Sequence, residues 1–460
     1  MTRNTSPAAH VRVSPRASGG TRARVLPLRG VAQAYAWGSP TAIPALLGVP
    51  PSGTPVAELW LGTHPVAPGL VETGAGQYPA ADFVGNLPFL LKVLAADRAL
   101  SLQVHPDVAQ ARAGFAADEA AGLALDDPQR RYRDPNHKPE LIVALTPFRA
   151  LAGVRDPRCT LAVVAGLGVA ALEAAFRPLA TDPHAGAATV LRTLLTMPTT
   201  PAKALVDDLV TAAARLRSAS PVAGDHAIDN ELSRAADLVG HLAAAHPGDV
   251  GIAAALLLND VTLQPGEGLF QPARLLHAYV DGLGIEIMAA SDNVLRGGLT
   301  PKHIDVDELL RILDPTPSDA PVRPARPLAT GPGGQLHGWD VPVADFTLAE
   351  AVCTGGDLPV GRPTVLLAVD GEVTVTITPP VAVPTDPTPR PRADAGTADG
   401  NRVRDDMKVS STTGDSTAGG SVSGDPTTLT LHRGESALVT APADVVLSGH
   451  GRVFLAASGH

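Results

Sequence analysis

In Ala99-Leu100-Ser101-Leu102-Gln103-Val104-His105-Pro106-Asp107, apolar and polar residues alternate, the period of a half-buried β-strand. Leu100, Leu102 and Val104 are expected on one face, Ser101, Gln103 and His105 on the other. A row of hydroxyl, amide and imidazole is not core packing unless something polar lies opposite it: a cation, a bound sugar, or both.

Two further segments supply partners. Lys138-Pro139-Glu140-Leu141-Ile142-Val143-Ala144-Leu145 reads as a strand with Lys138 and Glu140 on one face and Leu141, Val143 and Leu145 on the other. Ala273-Arg274-Leu275-Leu276-His277-Ala278-Tyr279 adds a second histidine. Gln103, His105, Glu140 and His277 together offer two imidazoles, one carboxylate and one amide. Zinc accepts nitrogen and carboxylate ligands, although an amide oxygen is an uncommon fourth.

Around these residues the chain closely resembles the type I mannose-6-phosphate isomerase family. The resemblance is carried by Ser101–Asp107, Asn136-His137-Lys138-Pro139-Glu140-Leu141, Leu276–Tyr279 and Ser291-Asp292-Asn293-Val294-Leu295-Arg296-Gly297-Gly298-Leu299-Thr300-Pro301-Lys302. Tyr35-Ala36-Trp37-Gly38-Ser39, Ala57–Pro65 and Leu87–Leu94 agree, all in the family's order over roughly residues 25–310. It implies interconversion of mannose 6-phosphate and fructose 6-phosphate through a cis-enediol, feeding mannose to GDP-mannose and glycan synthesis. It also implies one Zn2+ per chain, held by Gln103, His105, Glu140 and His277. A dication with one carboxylate and three neutral ligands keeps a formal charge near +1, enough to polarise a carbonyl.

The same resemblance makes Arg296 the active-site arginine, with Lys138, Asp292 and His137 as further catalytic candidates. The proton-transfer base stays open among His137, Lys138, Asp292 and Glu286, with the Lys138/Arg296 neighbourhood favoured. Asp292 and Arg296 would be a mere helical salt bridge at i, i+4, but Asn293 and Gly297-Gly298 favour a loop at the rim of the site. Phosphate binding falls to Ser101, Lys302 and Arg296, with Lys92 as a less certain addition that could equally be a buried partner of Glu58. Trp37 and Trp60 are expected to be structural.

Bulk properties narrow the alternatives. A chain of 460 residues exceeds one core, and its net charge of −10 argues against nucleic acid as partner. Two cysteines, Cys159 and Cys353, build no disulfide framework, which suits the cytoplasm. The absence of an 18-residue apolar run argues against a membrane span. Lysines number only five, Lys92, Lys138, Lys203, Lys302 and Lys408, and three of them fall inside the matching motifs. The expected partner is a small sugar phosphate, and the expected state a monomer.

The expected fold is mainly β with an α insert, that is, cupin (jelly-roll-like) barrels plus an inserted helical domain. Residues 1–24, Arg-, Ser-, Gly- and Pro-rich with no acidic residue, read as a disordered N-terminal extension. Residues 25–157 and 251–313 form the metal-binding catalytic domain, and 158–250 the helical insert, with Leu205, Leu209, Ala212 and Leu216 on one helix face. Within the insert, His241 and His246 read as surface residues rather than ligands. Val108–Leu125 and Asp307–Leu313 read as helices, Ile252–Leu258 and Val261–Leu263 as strands. Residues 314–460 form a second cupin-like domain, interrupted at 379–426 by a Pro-, Asp-, Thr-, Ser- and Gly-rich insert expected to be disordered.

Two competing functions remain at this level. Another metal-dependent cupin enzyme, such as an iron oxygenase, would use two histidines and a carboxylate without a glutamine. A catalytically inactive cupin sugar-phosphate binder would keep the pocket, yet intact Arg296, Lys138 and all four ligand positions count against it.

Overall fold

The computed structural model describes residues 22–127, 129–218, 226–378 and 427–459. The expectations for residues 1–21 and for the insert at 379–426 lie outside the described residues. The fold is mainly β with helices, the class expected from the sequence. Among the described residues the strands form two 11-stranded sheets, and no helix is long and apolar enough to cross a membrane.

The spine of the first sheet is the strand His277–Ala289. Its second half pairs antiparallel with Phe89–Ala96 on one side and Glu140–Ala144 on the other. Its first half pairs instead with Phe148–Val154 and, at His277, with Gln103. The strand changes partners at Gly282, whose φ of +127° suits glycine. A Cβ there would lie 2.8 Å from the Phe148 backbone. At its His277 end the strand faces Gln103 and Ala152, whereas Glu140 lies opposite Met288 at its other end and opposite Gln271 on the neighbouring strand.

The opening motif is less regular than its alternation suggests: only Gln103–Val104 is strand. The burial pattern nevertheless follows it in part. Leu102 and Val104 enter a core shared with the helices, whereas Leu100 is only partly buried against a different cluster. Immediately after His105 the chain turns into the helix Val108–Ala120, started by a reciprocal capping box. The Asp107 carboxylate accepts from the Gln110 amide at 2.8 Å, and the Gln110 side chain accepts from the Asp107 amide at 3.0 Å. Such a cap stabilises a helix start by about 1 kcal/mol and here fixes where the His105 segment ends.

Helices occupy the chain between Phe148–Val154 and Leu258–Leu263, two strands that pair directly with each other. They run from Pro157–Leu167 through Thr199–Ser218 and His226–Ala245 to Gly251–Ala255. Leu205, Leu209 and Ala212 are buried on one face of the Thr199–Ser218 helix, with Leu216 partly buried. The expected strand at Ile252–Leu258 is not one: Gly251–Ala255 is helical, and strand begins only at Leu258. Every residue from Gly251 to Leu258 is buried, so the sequence shows no periodicity there, and the run Ala253–Ala255 takes the helix it prefers. His246 is half-buried and its Nε2 lies 2.7 Å from the Ala99 carbonyl, tying the insert to the opening motif.

The second sheet is built chiefly from strands after Arg326, but Val25–Arg29 belongs to it, paired with Ser436–Val439. The expected division at residue 314 therefore does not follow the sheets. Between the two sheets lies one apolar layer, with Leu91, Leu141 and Ile287 from the first facing Leu367, Leu438 and Phe454 from the second. Trp339 and Phe346, both buried, belong to the same layer.

Candidate metal centre and sugar-phosphate site

His105, Glu140 and His277 place one ligand atom each within 4.8 Å of one another. The His277 Nε2 lies 3.2 Å and the His105 Nε2 3.4 Å from the same Glu140 oxygen, Oε2. All three side chains are buried, and these three atoms have no hydrogen-bond partner. A buried polar atom without a partner costs roughly 1–3 kcal/mol, so three facing one point mark a place built for a cation.

The remaining ring atoms are committed elsewhere. His105 Nδ1 is 2.7 Å from the Asn293 carbonyl oxygen, and His277 Nδ1 is 2.9 Å from that of Leu275. A carbonyl only accepts, so each Nδ1 carries the proton and each Nε2 presents its lone pair to the centre. Burial pushes the His105 imidazole down to about 4, despite the opposing pull of Glu140, which keeps it neutral and free to bind. Burial would raise the Glu140 carboxyl, but Lys138 and then His105 outweigh it and hold it well below the usual range. Gln103 is half-buried and stands opposite His277 on one side and Arg296 on the other. This set of two imidazoles, one carboxylate and an adjacent amide fits zinc.

Lys138 is buried, with its amine 3.1 Å from Glu140 Oε1. A second polar row runs across three paired strands, where register sets Trp60 opposite Lys92 and Lys92 opposite Glu286. The Lys92 amine lies 3.4 Å from Glu58 and 3.3 Å from Glu286. Trp60 donates to Glu58 at 2.6 Å, and the Tyr279 hydroxyl donates to Glu286 at 2.8 Å. Burial would lower the Lys92 ammonium, yet the two carboxylates raise it. Burial raises Glu286.

The segment Ser291–Arg296 forms a wall of the site. Ser291–Val294 is irregular and Leu295–Arg296 a short strand, so Asp292 and Arg296 are not helical neighbours. Asp292 pairs with His64 at 3.3 Å, and that hydrogen bond holds its carboxyl below the usual range. Arg296 is half-buried, and its guanidinium is lowered by burial and by Arg133. Lys302, on the surface, is lowered first by Arg296 and also by Arg133. Among the described residues Arg296 and Lys302 make no ion pair. Three cations crowded together without a carboxylate suit a dianionic ligand. Ser101 is half-buried in the opening motif. His137 points elsewhere, its Nε2 2.9 Å from Asp345.

Of the residues singled out in the sequence, His105, Glu140, His277 and Lys138 come together directly. Gln103 and Arg296 adjoin them through strand register, and Lys302 lies within electrostatic range of Arg296. Lys92 sits in the carboxylate row, and His137 faces Asp345. Residues the sequence did not single out are His64, Arg133 and Asp345, and Asn293 figured there only as a loop former. For His64 there was a signal, its place in the Ala57–Pro65 motif beside Glu58.

Comparison with known proteins agrees with this geometry. The sequence model for "Phosphomannose isomerase type I, catalytic domain" matches residues 25–157. Mannose-6-phosphate isomerase of Shigella flexneri is 35% identical over 367 residues, 75% of this chain and 88% of that protein. The Homo sapiens mannose-6-phosphate isomerase is 32% identical over 406 residues, 80% and 91% of the two chains. Among solved structures, a mutant phosphomannose isomerase from Salmonella typhimurium superimposes with a TM-score of 0.72 at 29% identity, covering 95% of this chain and 100% of that one. A mannose 6-phosphate isomerase bound with zinc and yttrium gives 0.71 at 29% identity, with the same coverage.

Proposed function

Because this chain belongs to the type I phosphomannose isomerases, we propose how its own side chains divide the work of that enzyme. The protein is a zinc-dependent mannose-6-phosphate isomerase, an aldose–ketose isomerase that interconverts mannose 6-phosphate and fructose 6-phosphate. The observation that carries the assignment of the centre is the convergence of three buried, partnerless atoms on His105, Glu140 and His277. With Gln103 they would hold the ion. When bound, zinc supplies positive charge that polarises the sugar carbonyl and steadies a developing enediolate.

The isomerisation removes a proton from C2 of the open-chain aldose and returns one to C1, while a hydroxyl proton moves between O2 and O1. In our reading Lys138, beside Glu140 and at the mouth of the ligand set, carries the proton. Arg296 steadies the negative oxygen across the site. Asp292, ionised and held by His64, orients a sugar hydroxyl. Arg133 and Lys302, with Ser101, receive the phosphate. Lys92, held between two carboxylates, keeps the polar row in place and is not offered to the phosphate. The enediol route itself belongs to this reading, as do a monomeric state, a cytoplasmic location and a supply of mannose for GDP-mannose and glycans. Cys159 and Cys353 are free thiols, as a reducing compartment allows.

A coupled isomerase assay on the purified, zinc-loaded protein tests the reading. Turnover that disappears with a chelator and returns with zinc is expected. A zinc-loaded protein that fails to convert mannose 6-phosphate overturns it.

A further inference from the structure

We infer that Asp345 is a positioning residue of the isomerase site, reaching over from the second sheet to aim Lys138 through His137. The His137 Nε2 and the Asp345 carboxylate are 2.9 Å apart, joining positions 208 residues apart in the chain. Both side chains are about three-quarters buried, so the bond is shielded from competing water more than a surface pair would be.

Each end of this contact is rigidly mounted. Asp345 lies in the connection between the strands Gly334–Gly338 and Thr347–Thr354, next to Phe346, which is fully buried in the layer shared by both sheets. On the other side, the segment leading to Glu140 is pinned from the flank formed by Ala289–Asn293. Ser291 Oγ and Asn293 Nδ2 donate to the Asn136 carbonyl at 3.3 and 2.9 Å, and the Ala289 amide donates to that of Pro139 at 3.1 Å. His137 falls between those anchors, and Asp345 is what its side chain holds. Lys138 comes next, with its amine 3.1 Å from Glu140.

Holding the His137 ring restrains the backbone just before Lys138 and so narrows the positions its side chain can take. A reacting group displaced by about 1 Å can lose up to a hundredfold in rate, so a contact that touches no substrate still bears on turnover. His137, a catalytic candidate from sequence, acts here through its neighbour. The inference rests on the reading that Lys138 works on the sugar phosphate.

The test uses full-length, zinc-loaded protein carrying Asp345→Ala, Asp345→Glu, His137→Ala, the Asp345→Ala/His137→Ala double change, and Lys138→Ala. Thermal melts establish that each is folded at the assay temperature, and metal analysis that each is loaded. Asp345→Ala and His137→Ala are expected to lower kcat about tenfold with KM within about twofold of the parent. The double change should be no worse than either single one, because both break the same contact. Asp345→Glu should recover part of the loss. Parental kcat in either single variant, or losses that multiply in the double, overturns the positioning role alone. Parental kcat in Lys138→Ala overturns the reading of the site beneath it.

Discussion

The Nδ1 of His105 lies 2.7 Å from the backbone carbonyl of Asn293, a residue 188 positions later in the chain. The same asparagine is buried, and its side chain accepts from the Arg133 amide at 2.8 Å and donates to the Asp134 and Asn136 carbonyls at 2.8 and 2.9 Å. One residue thus orients a ligand and holds the segment that leads to Lys138.

Asn293→Asp keeps the shape but puts an acceptor where Nδ2 donates, against two carbonyls. The backbone contact to His105 remains, so zinc is still bound but held less well. Loss of zinc to a competing chelator is expected to quicken about tenfold, within the usual range for a residue behind the ligands. An unchanged release rate would remove Asn293 from that role.

His277→Ala deletes one of the converging nitrogens. Metal analysis should find the bound zinc lost, with kcat reduced by more than about a hundredfold, beyond what an outer contact accounts for. Full activity in the metal-free variant would refute the ligand assignment.

Arg296→Ala and Arg133→Ala separate two uses of positive charge, and both should retain zinc. Removing Arg296 should lower kcat/KM by about a hundredfold or more, mostly in kcat, since it stabilises charge that develops during reaction. Removing the exposed Arg133 should raise KM for the sugar phosphate about fivefold with kcat nearly unchanged. Steady-state kinetics at two salt concentrations distinguish the pair, because only the KM contribution of an exposed cation fades as salt rises.

Stability of the metal-stripped protein should fall on acidification. Burial sets the folded His105 at about 4, against about 6.5 in an unfolded chain, so between those values the unfolded chain binds more protons. The contribution is whole above about pH 6.5 and is lost as pH drops toward 4, an effect of about 3 kcal/mol. Glu140, also depressed, adds loss of the same sign at lower pH. Urea midpoints from pH 7.5 to pH 4.5 check this, and a flat series would contradict it.

How much of this was legible in the sequence follows from how far each signal reaches. His105 and Glu140 announce themselves because each sits on a short alternating stretch, where a polar side chain on a core-facing element needs an explanation. The helical face of Leu205, Leu209 and Ala212 is legible for the same reason. Ile252–Leu258 misleads because a segment covered on all sides has no polar face to set a period. Arg133 and Asp345 leave no local trace of their use, and the matching motifs that hold His64 and Asn293 do not say what either touches: each acts through a partner far along the chain, and a single polar residue in a loop looks like any other. Lys92 shows the reverse case, a lysine conspicuous in sequence whose place was fixed by the strand register that sets Glu286 opposite it.

The pairing of Val25–Arg29 with Ser436–Val439 bears on how the molecule is made. Ser436 Oγ donates to the Leu28 carbonyl across 408 positions, so the first of the described strands, paired on one side with Leu70–Thr73, completes its other side only with one of the last. Val25, which packs among residues of the second sheet, and the strand edge that faces Ser436–Val439 are complete only once that sheet is made. A chain cut short of Ser436 would therefore leave the Val25–Leu28 edge without this partner, a bare strand edge of the kind that other chains can join.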